Sequence, residues 1–267
     1  MNSLRQAPDA VPSKRFIVVF DLNGIFCHCS PRQRNMATVP TWIMHDRAPD
    51  KPPALVGPKV VLPRRGYDMF WCRMSRMFHL CIWSSMKKST VDLVVDYLFR
   101  NLPKPALVLG QEDCTTFKDM WGNVVHNPLK TSAPLFLKSL VHKFWWPPIS
   151  LDCGRITAKD SNTILVDDCP YKSVCNPDEC GIFPNPFTSN RVQDADMTKV
   201  LLPYFQSLFY SPMSDAREFV VNRRFGQQPI RHNDPVKVAV LKSNGLKGPD
   251  LEIVEKLQID RIEVAKK

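Results

Sequence analysis

Between Lys14 and Cys29 the chain reads KRFIVVFDLNGIFCHC, with the unbroken apolar run Phe16–Phe20 set between a basic pair and a carboxylate. A continuous run without alternation predicts a strand covered on both faces, as at the centre of a mostly parallel sheet. Similar short runs recur at Leu80–Trp83, Ala106–Leu109 and Asn162–Val166, and Gly181–Phe187 (GIFPNPF) reads as a fifth strand that its prolines confine to an edge. Arg64–His79 carries Tyr67, Phe70, Trp71, Met74 and Phe78 at three- and four-residue spacing, which predicts an amphipathic helix with an aromatic core face. Met86–Leu102 repeats that period with Val91, Val94, Val95 and Leu98 and stops before Pro103. Further helices are predicted over Pro134–Trp146, which carries Lys138, and over Asp196–Tyr210 and Asp215–Arg223, each begun by an acidic residue. Strands alternating with helices predict an α/β domain with a largely parallel sheet.

Two stretches break this rhythm. Ser30–Pro63 is too rich in proline for a helix and too long for a bare connection, so it predicts a functional flap. Gln111–Lys130 has no helical period and predicts an insertion, about residues 110–132, or a small hairpin. Residues 1–13 are polar and predicted to be frayed, residues 14–225 to form the domain, and residues 226–267 a basic tail in which LEIVEKLQIDRIEV is a helix or docking segment.

Composition narrows the partners. A chain of 267 residues with 44% apolar content can bury one sizeable core. The net charge of +10 is scattered among acids and forms no stripe, which favours phosphate or phosphopeptide over direct contact with nucleic acid. The 9 cysteines contain no Cys-x-x-Cys pair, and no secretory apolar region precedes residue 15, which predicts a reduced intracellular protein. Cys27, His28 and Cys29 alternate in the chain just after the first strand, so His28 and its neighbours point to opposite sides and are not placed to share a zinc ion. No window is long and apolar enough to span a membrane. Nothing in the sequence fixes the oligomeric state.

The chemistry lies at the strand ends. Asp21 follows the first strand, Ser84 the second, and the Asp167–Asp168 pair the fourth, so all reach the carboxyl edge of the sheet, where ligands of open α/β folds bind. With Lys138 they form a set suited to phosphoryl transfer. One carboxylate attacks phosphorus, a hydroxyl and an ammonium hold the equatorial oxygens, and a second acid with a backbone carbonyl holds Mg²⁺. Each residue also has a plainer reading: Ser84 as cap of a helix starting near Met86, Lys138 as a solvated lysine, and Asp168 as its ion-pair partner.

FDLNGIF resembles the first motif, DxDx(T/V), of the haloacid dehalogenase superfamily, and CIWSS, FLKSL and ILVDDCP resemble its second to fourth motifs in the right order. Their spacing, Arg64-Arg65-Gly66 and the DDCP segment are most similar to the phosphatases of the RNA polymerase II C-terminal repeats, the NLI-interacting-factor family, over residues 14 to 210. FGQQPI at 225–230 resembles plant-type members. The resemblance implies a three-layer, Rossmann-like fold with helices on both faces. It implies Asp21 as nucleophile, Ser84 and Lys138 as phosphate-holding residues, Asp21, Asp168 and the carbonyl of Asn23 as Mg²⁺ ligands, and Asp167 in support.

The chain departs from that pattern where the second acid of DxD is expected. Asn23 stands there, and an amide cannot protonate a leaving oxygen or activate water, a loss of about 10²–10⁴-fold. Ile25 replaces the usual Thr or Val, and Gln111-Glu112-Asp113-Cys114 stands where Arg-Glu-x-Cys is common. The sequence therefore predicts a nuclear or cytoplasmic, Mg²⁺-dependent phosphoprotein Ser/Thr phosphatase that acts weakly through an aspartyl-phosphate. The alternative is a catalytically dead binding module, similar to the import receptor of the mitochondrial inner-membrane translocase.

Overall fold

A computed structural model describes residues 14–39, 51–116, 126–127, 130–145, 147–152, 154–188 and 196–230. Residues 1–13, residues 117–125 and 128–129 of the predicted insertion, Trp146 and the tail beyond 230 lie outside the described residues. The first apolar run forms β1 (Ile17–Phe20), fully buried along its length. A turn through Gly24 leads to an antiparallel ribbon of β2 (Cys27–Pro31), β3 (Ala54–Val56) and β4 (Lys59–Pro63), which occupies the two ends of the predicted flap. Then come α1 (Tyr67–Met77), β5 (His79–Trp83), α2 (Lys88–Phe99) and β6 (Leu107–Leu109).

Four short strands follow, β7 (Thr115–Thr116), β8 (His126–Asn127), β9 (Lys130–Pro134) and β10 (Phe136–Leu137), with β7 pairing β10 and β8 pairing β9. After them come α3 (Leu140–Lys143), the hairpin β11 (Ser150–Leu151) and β12 (Ile156–Thr157), β13 (Thr163–Val166) and β14 (Gly181–Ile182). The chain closes with α4 (Met197–Val200), α5 (Leu202–Phe209) and α6 (Ala216–Asn222).

The central sheet has the order β14-β13-β1-β5-β6, and all its pairings are parallel. β1 is its middle strand. Its residues alternate between two cores, as a period of two requires. Val18 and Phe20 face an aromatic layer from α1, α2, α5 and α6, while Ile17 and Val19 face a thinner layer of Leu140, Phe144 and Leu151. The predicted three-layer α/β arrangement is thus present. The chain leaves β1 toward β5 and β6, then returns to the other side as β13, so the order reverses at β1. Loops after strands diverge at such a point and open a crevice at the carboxyl edge.

Three elements differ from the sequence reading. Pro134–Trp146 is not one helix: among its described residues only Leu140–Lys143 is helical, and Lys138 sits just before it. The apolar spacing explains why, because Leu135 and Leu137 alternate as strand residues and only Leu140, Val141 and Phe144 follow a helical period. The predicted Asp196–Tyr210 helix is broken at Leu201, where Pro203 begins a new first turn, with Asp196 capping the first piece through the Thr198 amide at 3.0 Å. The edge strand is only two residues long, since Phe183 turns away to bridge Gly226 and Gln227. The chain remains against the domain through Ile230, which packs on Leu135, Leu137, Val174 and Cys175.

Phe205 of α5 lies 5.7 Å from Phe20, 6.2 Å from Phe70 and 5.9 Å from Phe78, centroid to centroid, so it fastens α5 and α1 to β1. Phe205→Ala is expected to lower the unfolding free energy by about 3–5 kcal/mol in urea denaturation. Leu93→Ala, at a side chain that is 49% exposed, is expected to change it by less than about 0.5 kcal/mol. Equal losses in the two variants would contradict this packing.

Candidate active site

Asp21 and Asp167 leave adjacent parallel strands at the same level, because Phe20 pairs with Val166 and the Asp21 amide donates to the Val166 carbonyl at 2.8 Å. Both side chains are buried, and burying two carboxylates side by side requires cations between them. Two lysines supply them. Lys138 Nζ lies 2.5 Å from Asp167 Oδ2 and 3.1 Å from Asp21 Oδ1; Lys172 Nζ lies 2.7 Å from Asp21 Oδ2 and 3.0 Å from Asp167 Oδ1. Carboxylates and ammoniums therefore alternate around a closed ring of four groups. The Leu22 amide donates to Asp21 Oδ1 at 2.8 Å and the Cys169 amide to Asp167 Oδ1 at 2.9 Å.

This ring sets the protonation states. Burial acts to raise the Asp21 pKa, but the charges of Lys138 and Lys172 and hydrogen bonds from Lys172 and Leu22 outweigh it and lower the pKa to about 2. Burial likewise disfavours the charged form of Lys172, while Asp167, Asp21 and Asp168 raise its pKa well above the ordinary lysine value. Asp21 is thus held ionised at neutral pH.

The turn that carries Lys138 is fixed by its backbone. The Lys138 amide donates to the Lys172 carbonyl at 2.8 Å, and the Asn176 side chain spans the turn, donating to the Lys138 carbonyl and accepting from the Leu140 amide, both at 2.7 Å. Lys172 and Asn176 were not picked out from the sequence. Lys172 stands in a polar turn that reads as solvated, and its only local signal is its position four and five residues after Asp168 and Asp167.

Asp168 does not pair with Lys138. Its side chain lies beside Gly24, where an added Cβ would come within 2.2 Å of Asp168 Oδ2, so only glycine, here at φ +86°, fits that turn. Among the described residues Asp168 Oδ1 is buried without a hydrogen-bond partner, and the Lys172 ammonium stands 3.8 Å from it. Burial, then the neighbouring Asp167, raise the Asp168 pKa to about 7, with Lys172 opposing. An orphaned buried oxygen on a carboxylate packed against Gly24 suits a hard divalent cation that takes oxygen ligands. Asp167, Asp168 and Cys169 also lie close enough to share an ion, but both Asp167 oxygens are engaged and burial pushes the Cys169 thiol up to about 12. Both Asp21 oxygens are engaged as well, so of the three carboxylates Asp168 is the one that keeps an oxygen without a hydrogen bond among the described residues.

Ser84 follows β5, two residues beyond the Phe20–Ile82 pairing, and is buried. It is not the cap of α2, which begins at Lys88 after Lys87; its Oγ accepts from the Met86 amide at 3.4 Å. Asn23 Oδ1 accepts from the Cys29 amide at 2.6 Å, so the residue in the place of the acid braces β2. Cys27 and Cys29 lie on one side of β2, with their sulfurs 3.4 Å apart, as the alternation predicts. Glu112 accepts from the Lys88 amide at 2.9 Å and Asp113 pairs with Lys143 at 2.5 Å, which gives these two residues structural work in place of an Arg-Glu-x-Cys pattern. Among the described residues no helix is long and apolar enough to cross a membrane.

The model of the family described as NLI interacting factor-like phosphatase matches residues 16–217. No curated protein matches the chain. Among solved structures, it is similar to a variant of the fission yeast RNA polymerase II CTD phosphatase Fcp1 bound to beryllium fluoride, at 13% identity and a TM-score of 0.38, over 92% of this chain and 56% of that one. It is similar also to Fcp1 described as an essential RNA polymerase II CTD phosphatase, at 14% identity and a TM-score of 0.39, over 91% and 64%. The chain therefore spans less than two thirds of these two solved chains. By the family match, which takes in all the strand ends at this crevice, the chain belongs to the NLI interacting factor-like phosphatase family.

Proposed function

We propose that this chain is a Mg²⁺-dependent phosphoprotein phosphatase, acting on phosphoserine or phosphothreonine through an aspartyl-phosphate on Asp21, and slow because Asn23 stands in the place of the general acid. The observation that carries this reading is the ring in which a buried, ionised Asp21 touches both Lys138 and Lys172. One Asp21 oxygen attacks phosphorus, and a bond from that oxygen to phosphorus forms as the ester P–O bond breaks. Lys138 and Ser84 hold the non-bridging oxygens, and Asp167 keeps Lys138 in place. Asp21, Asp168 and the Asn23 carbonyl would hold Mg²⁺, whose contribution is to neutralise charge on the transferring group.

The leaving alkoxide needs a proton, and water must then lose one to cleave the acyl phosphate. The family resemblance gives both transfers to a carboxyl at position 23. Asn23 can do neither, and its side chain is already engaged with Cys29. A carboxylate there could accept the same hydrogen bond, so the missing group can be restored without rebuilding the turn. The amide at position 23 is also the observation that favours the second reading, a phosphate-binding module without turnover.

Asn23→Asp is expected to raise phosphoserine-peptide hydrolysis by about 10²–10⁴-fold. Aryl phosphate hydrolysis should respond much less in its first step, since a phenolate leaves without help; an unchanged peptide rate would favour the binding module. Asp21→Asn is expected to reduce Mg²⁺-dependent aryl phosphate hydrolysis to background. Activity that survives in a folded Asp21→Asn protein would remove Asp21 from the role of nucleophile.

A further inference from the structure

Lys172 is only 7% exposed and lies in the short turn Pro170–Ser173 after the paired acids. Its ammonium stands 2.7 Å from Asp21 Oδ2, 3.0 Å from Asp167 Oδ1 and 3.8 Å from Asp168 Oδ1, so one cation faces three carboxylates. Two of these, Asp21 and Asp168, are the ones the proposed function gives to the divalent ion. A lysine ammonium is a compact point charge on a flexible four-carbon stem, which lets it fill an ion site and also leave it. Its backbone is held on both sides, its amide donating to the Cys169 carbonyl at 3.0 Å and its carbonyl accepting from Lys138, so only the side chain is free to move.

Charge opposes joint occupancy. Asp21, Asp167 and Asp168, when ionised, against Lys138 and Lys172 leave one negative charge in the cluster. A divalent ion added beside Lys172 would make the cluster positive and press two cations onto the same oxygens, whereas a divalent ion in place of the Lys172 ammonium leaves it neutral. We infer that Lys172 is a tethered counter-cation that holds the metal-binding carboxylates, and that a divalent ion binds by displacing its ammonium. This inference rests on the assignment of Asp21 and Asp168 as metal ligands. It makes the apo site stable in itself and sets a threshold on metal concentration for loading.

Calorimetric titration of the full chain with Mn²⁺ and with Mg²⁺ tests it, using wild type, Lys172→Met and Asp168→Asn. Lys172→Met is expected to bind both ions more tightly than wild type, by about 10–100-fold, the size of effect that groups next to metal ligands exert. Asp168→Asn is expected to bind more weakly than wild type. Equal or weaker binding by Lys172→Met overturns the inference while leaving the magnesium site intact, and no binding by any of the three overturns both. Wild type alone gives a second readout that does not depend on how the variant folds. Under reductive methylation, read by peptide mass spectrometry, labelling of Lys172 should rise when Mg²⁺ replaces chelator, while buried Lys138 stays unlabelled. Unchanged labelling of Lys172 would contradict displacement.

Discussion

Two buried carboxylates at the ends of neighbouring strands are the constraint on which the rest of this structure depends. Asp21 and Asp167 sit level because β1 and β13 pair in register, and neither can be ionised in a dry crevice without a cation against it. Lys138 and Lys172 come from turns on either side of Asn176, and each bridges both acids. The fold delivers four charges to one point and balances them there. Removing any one of the four leaves an uncompensated buried charge, so the site is also a structural joint between the sheet and the turns that cover it.

The ring fixes what the chain can do chemically. It keeps Asp21 ionised far below neutral pH, and it places the ammonium of Lys138 3.1 Å from the Asp21 carboxylate, where the proposed function would use it to hold a phosphoryl group. It also leaves Asp168 at its margin, against the backbone at Gly24, with a buried oxygen that has no hydrogen bond among the described residues and the Lys172 ammonium 3.8 Å away. What the site lacks is a proton donor at position 23, where an amide braces β2. Under the proposed function, attack and charge stabilisation are provided for and proton transfer is not, which would separate formation of a phosphoenzyme from its breakdown.

Most of this was legible in the sequence, for physical reasons that differ from residue to residue. The run Phe16–Phe20 has to be a strand buried on both faces, and the acids after it and after Thr163–Val166 have to reach the carboxyl edge. The aromatic stripe from Tyr67 to Phe78 could only be a core face. Lys138 was found as a residue but placed on a helix, because Leu135 and Leu137 share one apolar run with Leu140 and Phe144 and the change of period between them is hidden. Lys172 was missed altogether. A lysine after Cys-Pro-Tyr looks solvated, and only the pairing of β1 with β13 reveals that its side chain has carboxylates on three sides. Pairings between residues far apart in sequence, such as Asp21 with Lys172, leave no periodic trace for a reader of the chain.

Formation of an acyl phosphate on Asp21 is the central claim, and under the proposed function the missing acid–base group at position 23 slows its breakdown. The chain would be mixed with Mg²⁺ and an aryl phosphate, quenched in acid, reduced with borohydride and mapped by peptide mass spectrometry. Conversion of Asp21 to homoserine, dependent on both Mg²⁺ and substrate, is the result this account requires. Release of phosphate with Asp21 unmodified, or with the reduced residue elsewhere in the chain, would contradict it.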